Sequence, residues 1–371
     1  MSHELIPVET LERLSRQEGV DVRPILVRVL TDLFVQKPDH SPEEVARYVE
    51  LVSQLLDVVN VDARAAVARK LAGEPRAPHS LVERLIADDI AVSAPILARF
   101  PDVSRQTLLA LALDGGPAEA AAIASREDLD SDLIRLLARH PDEFVLETLV
   151  ANAAVRLTGS TLAAVVERAA RSPALAAALL RRDDLDAVAF CPLYLFADPA
   201  RRASIRAALA SRPGRIGSLR SFGGADELTA AIDQAVAHEG GGRRVAESIA
   251  EALELRPDDA ARLVTEPSGE PFVLMLRAAG LDSDVVARAL LVAQPEIATS
   301  VARVFALVEI AETTSRSVAA EVISALIAPS AKSARHEPLF EPIGVMERAG
   351  AARAAKPTRR SRLGELARQR G

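Results

Sequence analysis

The sequence is short of the residues from which many sites are built. It has one cysteine, Cys191, in 371 residues, so no internal disulfide can form and no zinc site can be assembled from several thiolates. Tryptophan is absent and aromatics make up only 3% of the chain. Ala, Leu, Val and Arg dominate instead, which favours helices packed through small side chains over a sheet core of β-branched and aromatic residues. Lysine is scarce too. Lys37, Lys70, Lys332 and Lys356 are the only four, against 41 arginines, a bias that reads as codon usage and carries no functional message.

Longer patterns are missing as well. The start, MSHELIPVETLERL, has neither the basic nor the apolar region of a signal peptide, and no uncharged apolar run reaches the 18 or so residues of a membrane span. The expectation is a soluble cytoplasmic protein. The six histidines, His3, His40, His79, His140, His238 and His336, never fall at the i, i+3 or i, i+4 spacing of a helical metal site, and there is no HExxH. No metal and no cofactor are expected, nor is an enzyme. Cys191 lies in Ala189-Phe190-Cys191-Pro192, an apolar setting that reads as a buried thiol rather than a nucleophile. Gly240-Gly241-Gly242-Arg243-Arg244 lacks any phosphate-loop pattern and reads as a connector. Paired acids such as Asp88-Asp89 and Asp183-Asp184 diverge by about 100° on a helix and read as caps and solvated faces.

What is present is a repeat. Leu71, Leu97, Ile123 and Leu149 stand 26 residues apart, with Ala77, Val103, Leu129 and Val155 six residues later. Leu81/Leu85, Thr107/Leu111 and Leu133/Leu137 follow at ten and fourteen. A fixed period of this size marks stacked supersecondary units. It predicts an all-α fold, an α-solenoid of short antiparallel helix pairs, in which each pair needs its neighbour to bury its faces. Prolines 78, 101, 117 and 141 fall at the joints, where a missing N–H costs nothing. Ser104, Asp130 and Asp186 are N-caps. After a four-residue insertion near 157–161 the next anchor is Leu179. The period returns at Ile249 and Met275, and Leu-Asp-Ser-Asp occurs at both 129–132 and 281–284 in the same phase.

Four regions follow. Residues 1–60 form an N-terminal helical cap in which Asp21 caps one helix. Ser41-Pro42-Glu43-Glu44 starts another, with Ser as N-cap, Pro at N1 and acids in the first turn. Residues 61–190 are the first repeat block. Residues 191–328 hold an irregular, Pro/Gly-interrupted connector and a second block, with helices around 199–211, 226–238, 283–293, 297–311 and 315–328. Residues 329–371 read as a disordered basic tail.

The run LAGEPRAPHSLVERLIADDIAVSAPILARF, followed by IASREDLDSDLIRLLARH, resembles the bacterial domain of unknown function 2336, found mainly in alphaproteobacteria. The resemblance extends over roughly residues 40–330. It implies a cytoplasmic helical-repeat protein of the HEAT-like or leucine-rich-variant-like kind, and it supplies no activity or site residue.

The net charge of −7 is unevenly spread. Residues 351–371 carry seven basic residues and one acid, leaving −13 on the remainder. The acidic body argues against a broad nucleic-acid face on the folded part. Stacked repeats present long surfaces to other macromolecules, so the first expectation is a non-enzymatic scaffold or adaptor for a protein partner. Arg99, Arg126 and Asn152 occupy comparable phases just beyond the anchors and are expected to line one face. The alternative is binding of nucleic acid or an anionic surface through Arg353, Lys356, Arg359, Arg360, Arg362, Arg368 and Arg370. The apolar helices of 283–328 are a further candidate, for a homodimer surface.

Overall fold

A computed structural model describes residues 21–212, 225–236 and 241–327, and every regular element among them is a helix. The chain divides into two units at Ala328/Pro329. The proposed tail and its seven cations lie outside the described residues, as do residues 1–20, the glycines at 223 and 224, and Gly240.

In the first half the helices are α1 (Arg23–Gln36), α2 (Pro42–Leu56), α3 (Val61–Leu71), α4 (His79–Ile86), α5 (Ile90–Arg99), α6 (Arg105–Asp114), α7 (Pro117–Ala124), α8 (Ser131–Leu137), α9 (Glu143–Ala151), α10 (Gly159–Ala169) and α11 (Pro173–Leu180). A 3-10 segment, Ala187–Phe196, follows. The first helices of successive pairs begin at residues 61, 90, 117, 143 and 173, which is the repeat seen in the sequence. Helices α1, α3, α5, α7, α9 and α11 form one row in which each packs on the next. That neighbour-to-neighbour packing is solenoid-like. The anchors Leu71, Leu97, Ile123, Leu149 and Leu179 are all completely buried in the row.

Local chemistry sets the helix starts. Ser41 accepts the Glu44 N–H while the Glu44 carboxylate accepts the Ser41 N–H, a complete capping box. Ser104, Asp130 and Asp186 cap their segments through the N–H groups of Thr107, of Asp132 and Leu133, and of Val188. Asp21 sits one residue further out than expected. Val22 is the N-cap of α1, and Asp21 holds Arg23 instead. In α6 the buried positions are Leu108 and Ala112, one residue later than the Thr107/Leu111 phase. The Thr107 hydroxyl is engaged with that of Ser104 at 2.7 Å, which holds it at the rim of the helix.

The second half contains α12 (Pro199–Ala210), α13 (Ala225–Val236), α14 (Gly241–Ala252), α15 (Pro257–Val264), α16 (Glu270–Ala279), α17 (Ser283–Ala293), α18 (Pro295–Ala298), α19 (Val301–Thr313) and α20 (Arg316–Leu326). Ile249 and Met275 are fully buried, as the period predicts, but the packing is no longer a simple row. The middle of helix α16 is apolar on every face, with Phe272, Val273, Leu274, Met275 and Leu276 all inaccessible, and such a stretch needs neighbours on every side. Helices α14, α15, α17, α19 and α20 supply them. Helix α20 also packs on the 3-10 segment and α12. Two glycines bracket α16. Gly269 has φ +75°, and a Cβ there would stand 2.4 Å from Ile297 Cδ1. Gly280, at φ +96°, closes the helix with the Leu281 N–H on the Leu276 carbonyl, as a Schellman cap.

The apolar core does not break where the sequence regions do. One cluster runs from Val27 to Phe100, across residue 60. A second runs from Leu97 to Leu326, across residue 190. The described part of the expected irregular connector, residues 191–212, is therefore part of the core. Its ten-residue 3-10 segment buries Phe190, Cys191, Leu193 and Tyr194.

Candidate interaction surface

The three residues expected to line a partner face do share a phase, but two of them point inward. Arg126 is only 3% exposed. Its guanidinium grips Asp128 at 2.7 Å through both Nε and Nη2, and its Nη1 donates to the Leu97 carbonyl of the preceding unit at 2.8 Å. Asn152 is half-buried, and its amide donates to the carbonyls of Ala124 and Arg126 at 2.9 and 2.6 Å. Arg99 alone of the three is exposed. The reason is the helix terminus: each unit ends on carbonyls with no partner inside the helix, and a polar side chain one repeat later reaches back to satisfy them.

Arg182 repeats the device. It pairs with Asp184 and donates to the carbonyls of Val150, Asn152 and Val155. The readable signal was Arg-x-Asp-Leu-Asp, present at 126–130 and again at 182–186. Its arginine staples the previous unit, its first aspartate holds the arginine, and its last caps the next segment. Hydrogen bonds from Arg126 and Arg182 hold the Asp128 and Asp184 carboxyls below their ordinary range, against a smaller opposing effect of burial.

A buried polar cluster joins the 3-10 segment to α12 and α16. The Tyr194 hydroxyl donates to Glu270 Oε2 at 2.7 Å, and Arg206 donates to the same carboxylate at 3.0 Å and to the Tyr194 oxygen. Arg202 bonds Ser268 Oγ at 2.6 Å and the carbonyls of Ala197 and Leu195, and pairs with Glu266 at 3.3 Å. Its guanidinium also lies 5.4 Å from the centre of the Tyr194 ring. Two arginines face two glutamates, so the charges of the cluster balance. Burial first, then the Glu270 charge, raises the Tyr194 pKa, so the phenol is a donor here and not a base. This arrangement locks helices together and leaves no reacting atom exposed.

The Cys191 thiol is buried, and burial pushes its pKa up to about 12, the opposite of an activated nucleophile. Among the described residues no group of His, Cys, Asp and Glu could hold a metal ion, and no helix is long and apolar enough to cross a membrane.

Beside single exposed apolar side chains such as Leu113, Phe144 and Leu291, two larger features face outward. One is a groove of about 590 Å³ between α14 and α15, with an alanine-rich floor including Ala250 and Ala260 and with Glu247, Glu251 and Asp258 on its walls. The other is α19. Only Leu307 and Ala311 of this helix are buried. Val301 and Phe305, one turn apart, are 68% and 71% exposed, and Ala302, Ala306, Glu309 and Glu312 complete the outward face. Arg303, on the flank, is held by the Pro267 carbonyl at 2.7 Å.

Residues 92–239 match the model of a family described as an uncharacterised protein conserved in bacteria, DUF2336. The match runs from within α5 through α13, narrower than the 40–330 extent drawn from the repeat pattern. None of the curated proteins compared and none of the solved structures matches the chain.

Proposed function

We propose that the chain is a non-enzymatic cytoplasmic scaffold that holds a protein partner, with the outer face of α19 as its contact. The observation that carries this reading is the exposure of Phe305 and Val301 on successive turns. Phe144 and Phe196 are exposed as well, at 60% and 41%, but Phe305, at 71%, exceeds both and has the exposed Val301 one turn away on the same helix face. Exposed apolar patches mark interaction sites, and aromatic anchors carry much of the energy of protein interfaces. Helices α16, α17 and α18, on which α19 packs, supply a pre-ordered support, which lowers the entropic cost of binding.

The test is affinity capture from host lysate with the full chain and with Phe305→Asp, read by quantitative mass spectrometry. A discrete protein retained by the native chain and lost with Phe305→Asp supports the reading; equal retention by both refutes it.

A second reading rests on residues 351–371, where seven basic residues and one acid adjoin a body of net charge −13. Here the tail binds nucleic acid or another anionic surface. Deleting 351–371 should then abolish a salt-dependent association, and unchanged binding after the deletion would exclude it.

A further inference from the structure

The order of residues along the exposed face of α19 bears on what can cover it. Val301, Phe305, Glu309 and Glu312 follow one another at helical spacing along one stripe. The first two turns are apolar and the last turn is acidic. Glu309 and Glu312 are exposed, with no ion-pair partner among the described residues, and Arg303 is turned to the Pro267 carbonyl.

A second copy of the chain fits this stripe poorly in either direction. Paired parallel about a twofold axis, the helices would place Glu309 against Glu309 and Glu312 against Glu312, and like charges set face to face are costly. Paired antiparallel, they would lay Glu312 over Val301 and Glu309 near Phe305, burying carboxylates against apolar groups without hydrogen bonds. A partner whose own stripe changes from apolar to basic avoids both costs.

We infer that the α19 face takes an amphipathic helix of another protein, with leucine-like side chains over Val301 and Phe305 and arginine or lysine over Glu309 and Glu312. The inference rests on the reading of α19 as the contact face and adds the chemistry of the occupant. Arginine suits the acidic end best, because its aliphatic stem can lie along Ala306 while its guanidinium meets the carboxylates.

The test uses the full chain and two labelled helical probes of about 16 residues, long enough to span the stripe. Both carry leucine on two turns and arginine on the next, in the two possible orders, and binding is read by fluorescence anisotropy. One order should bind, in a salt-sensitive manner. Phe305→Asp should weaken it about thirtyfold or more, the usual cost of losing an aromatic anchor. Glu309→Lys with Glu312→Lys should transfer preference to the matching probe with glutamate in place of arginine. Both positions are exposed, so circular dichroism and melting should match the native chain.

If neither probe binds, or if binding ignores both the Phe305 and the glutamate changes, the inference fails. Light scattering that shows a dimer abolished by Phe305→Asp would also overturn it while leaving α19 as a contact face. Lysate capture that depends on Phe305 without any probe binding would place the error in the partner's chemistry and not in the surface.

Discussion

Replacing Arg182 by methionine keeps an apolar stem and removes the guanidinium that ties one unit to the next. In the native chain Arg182 is 8% exposed and donates to the carbonyls of Val150, Asn152 and Val155 while holding Asp184 at 2.8 and 2.6 Å. Asp184 is part-exposed and can be rehydrated. The carbonyls of Val150 and Val155 belong to buried residues, and each buried acceptor left unpaired costs about 1–3 kcal/mol. For the two buried acceptors, allowing for entry of a water, the loss should be about 2–4 kcal/mol. The neighbouring Arg181 is exposed, so Arg181→Met should stay within about 0.5 kcal/mol of the native chain. Urea unfolding gives the totals. Hydrogen exchange locates the damage, which should appear first at the Val155 amide that bonds to the Asn152 carbonyl. If Arg182→Met falls within about 1 kcal/mol of the Arg181 control, the staple is ornamental and the argument for a tied stack is wrong.

Three other outcomes are expected. Glu270→Ala leaves Arg206 without its buried counter-charge, while Arg202 keeps Glu266, and should cost about 3–5 kcal/mol in chemical denaturation, whereas Tyr194→Phe, which removes one hydroxyl, should cost about 1–2 kcal/mol. Asp128 and Asp184 have folded pKa values held below their unfolded ones, so the stability they lend is present above the unfolded carboxylate value, about 4. It is lost as pH falls through the folded value, and Asp128→Asn with Asp184→Asn should flatten the acid limb of a stability–pH curve. Cys191 should resist a maleimide at pH 8 in the native chain and react in urea, because its pKa of about 12 leaves almost no thiolate and burial blocks approach. Rapid labelling of the folded chain would contradict this.

The parts legible in the sequence were those written locally or periodically. Ser41, Ser104 and Asp130 announced their caps because capping needs only a side-chain oxygen and the next turn. Leu71, Leu97, Ile123 and Leu149 announced the row because each answers to the same position in its neighbour. Arg126 and Asn152 were placed in the right phase and given the wrong direction. An arginine or asparagine at a helix end serves a surface or a neighbouring carbonyl equally well by composition, and only the companion aspartates at 128 and 184 favour the second. The Tyr194–Glu270 contact spans 76 residues and belongs to no period, so pattern could not reveal it. Prolines and glycines after Cys191 suggested an irregular connector, yet at its start a 3-10 segment tolerates Pro192 and still buries four side chains. The exposure of Phe305 was likewise hidden. The run Val301-Ala302-Arg303-Val304-Phe305 is apolar on more faces than its neighbours can cover, and which face faces water depends on the docking of α19 against α16 and α17.

The central functional claim, that α19 is where a partner sits, is tested most directly by a photo-crosslinking residue placed at position 305 of the full chain in living host cells. A second exposed site, Leu113 on α6, 66% accessible, serves as the comparison. The account predicts a discrete crosslinked product containing another protein from position 305 and none from position 113. No product at 305, or the same products from both positions, would contradict it.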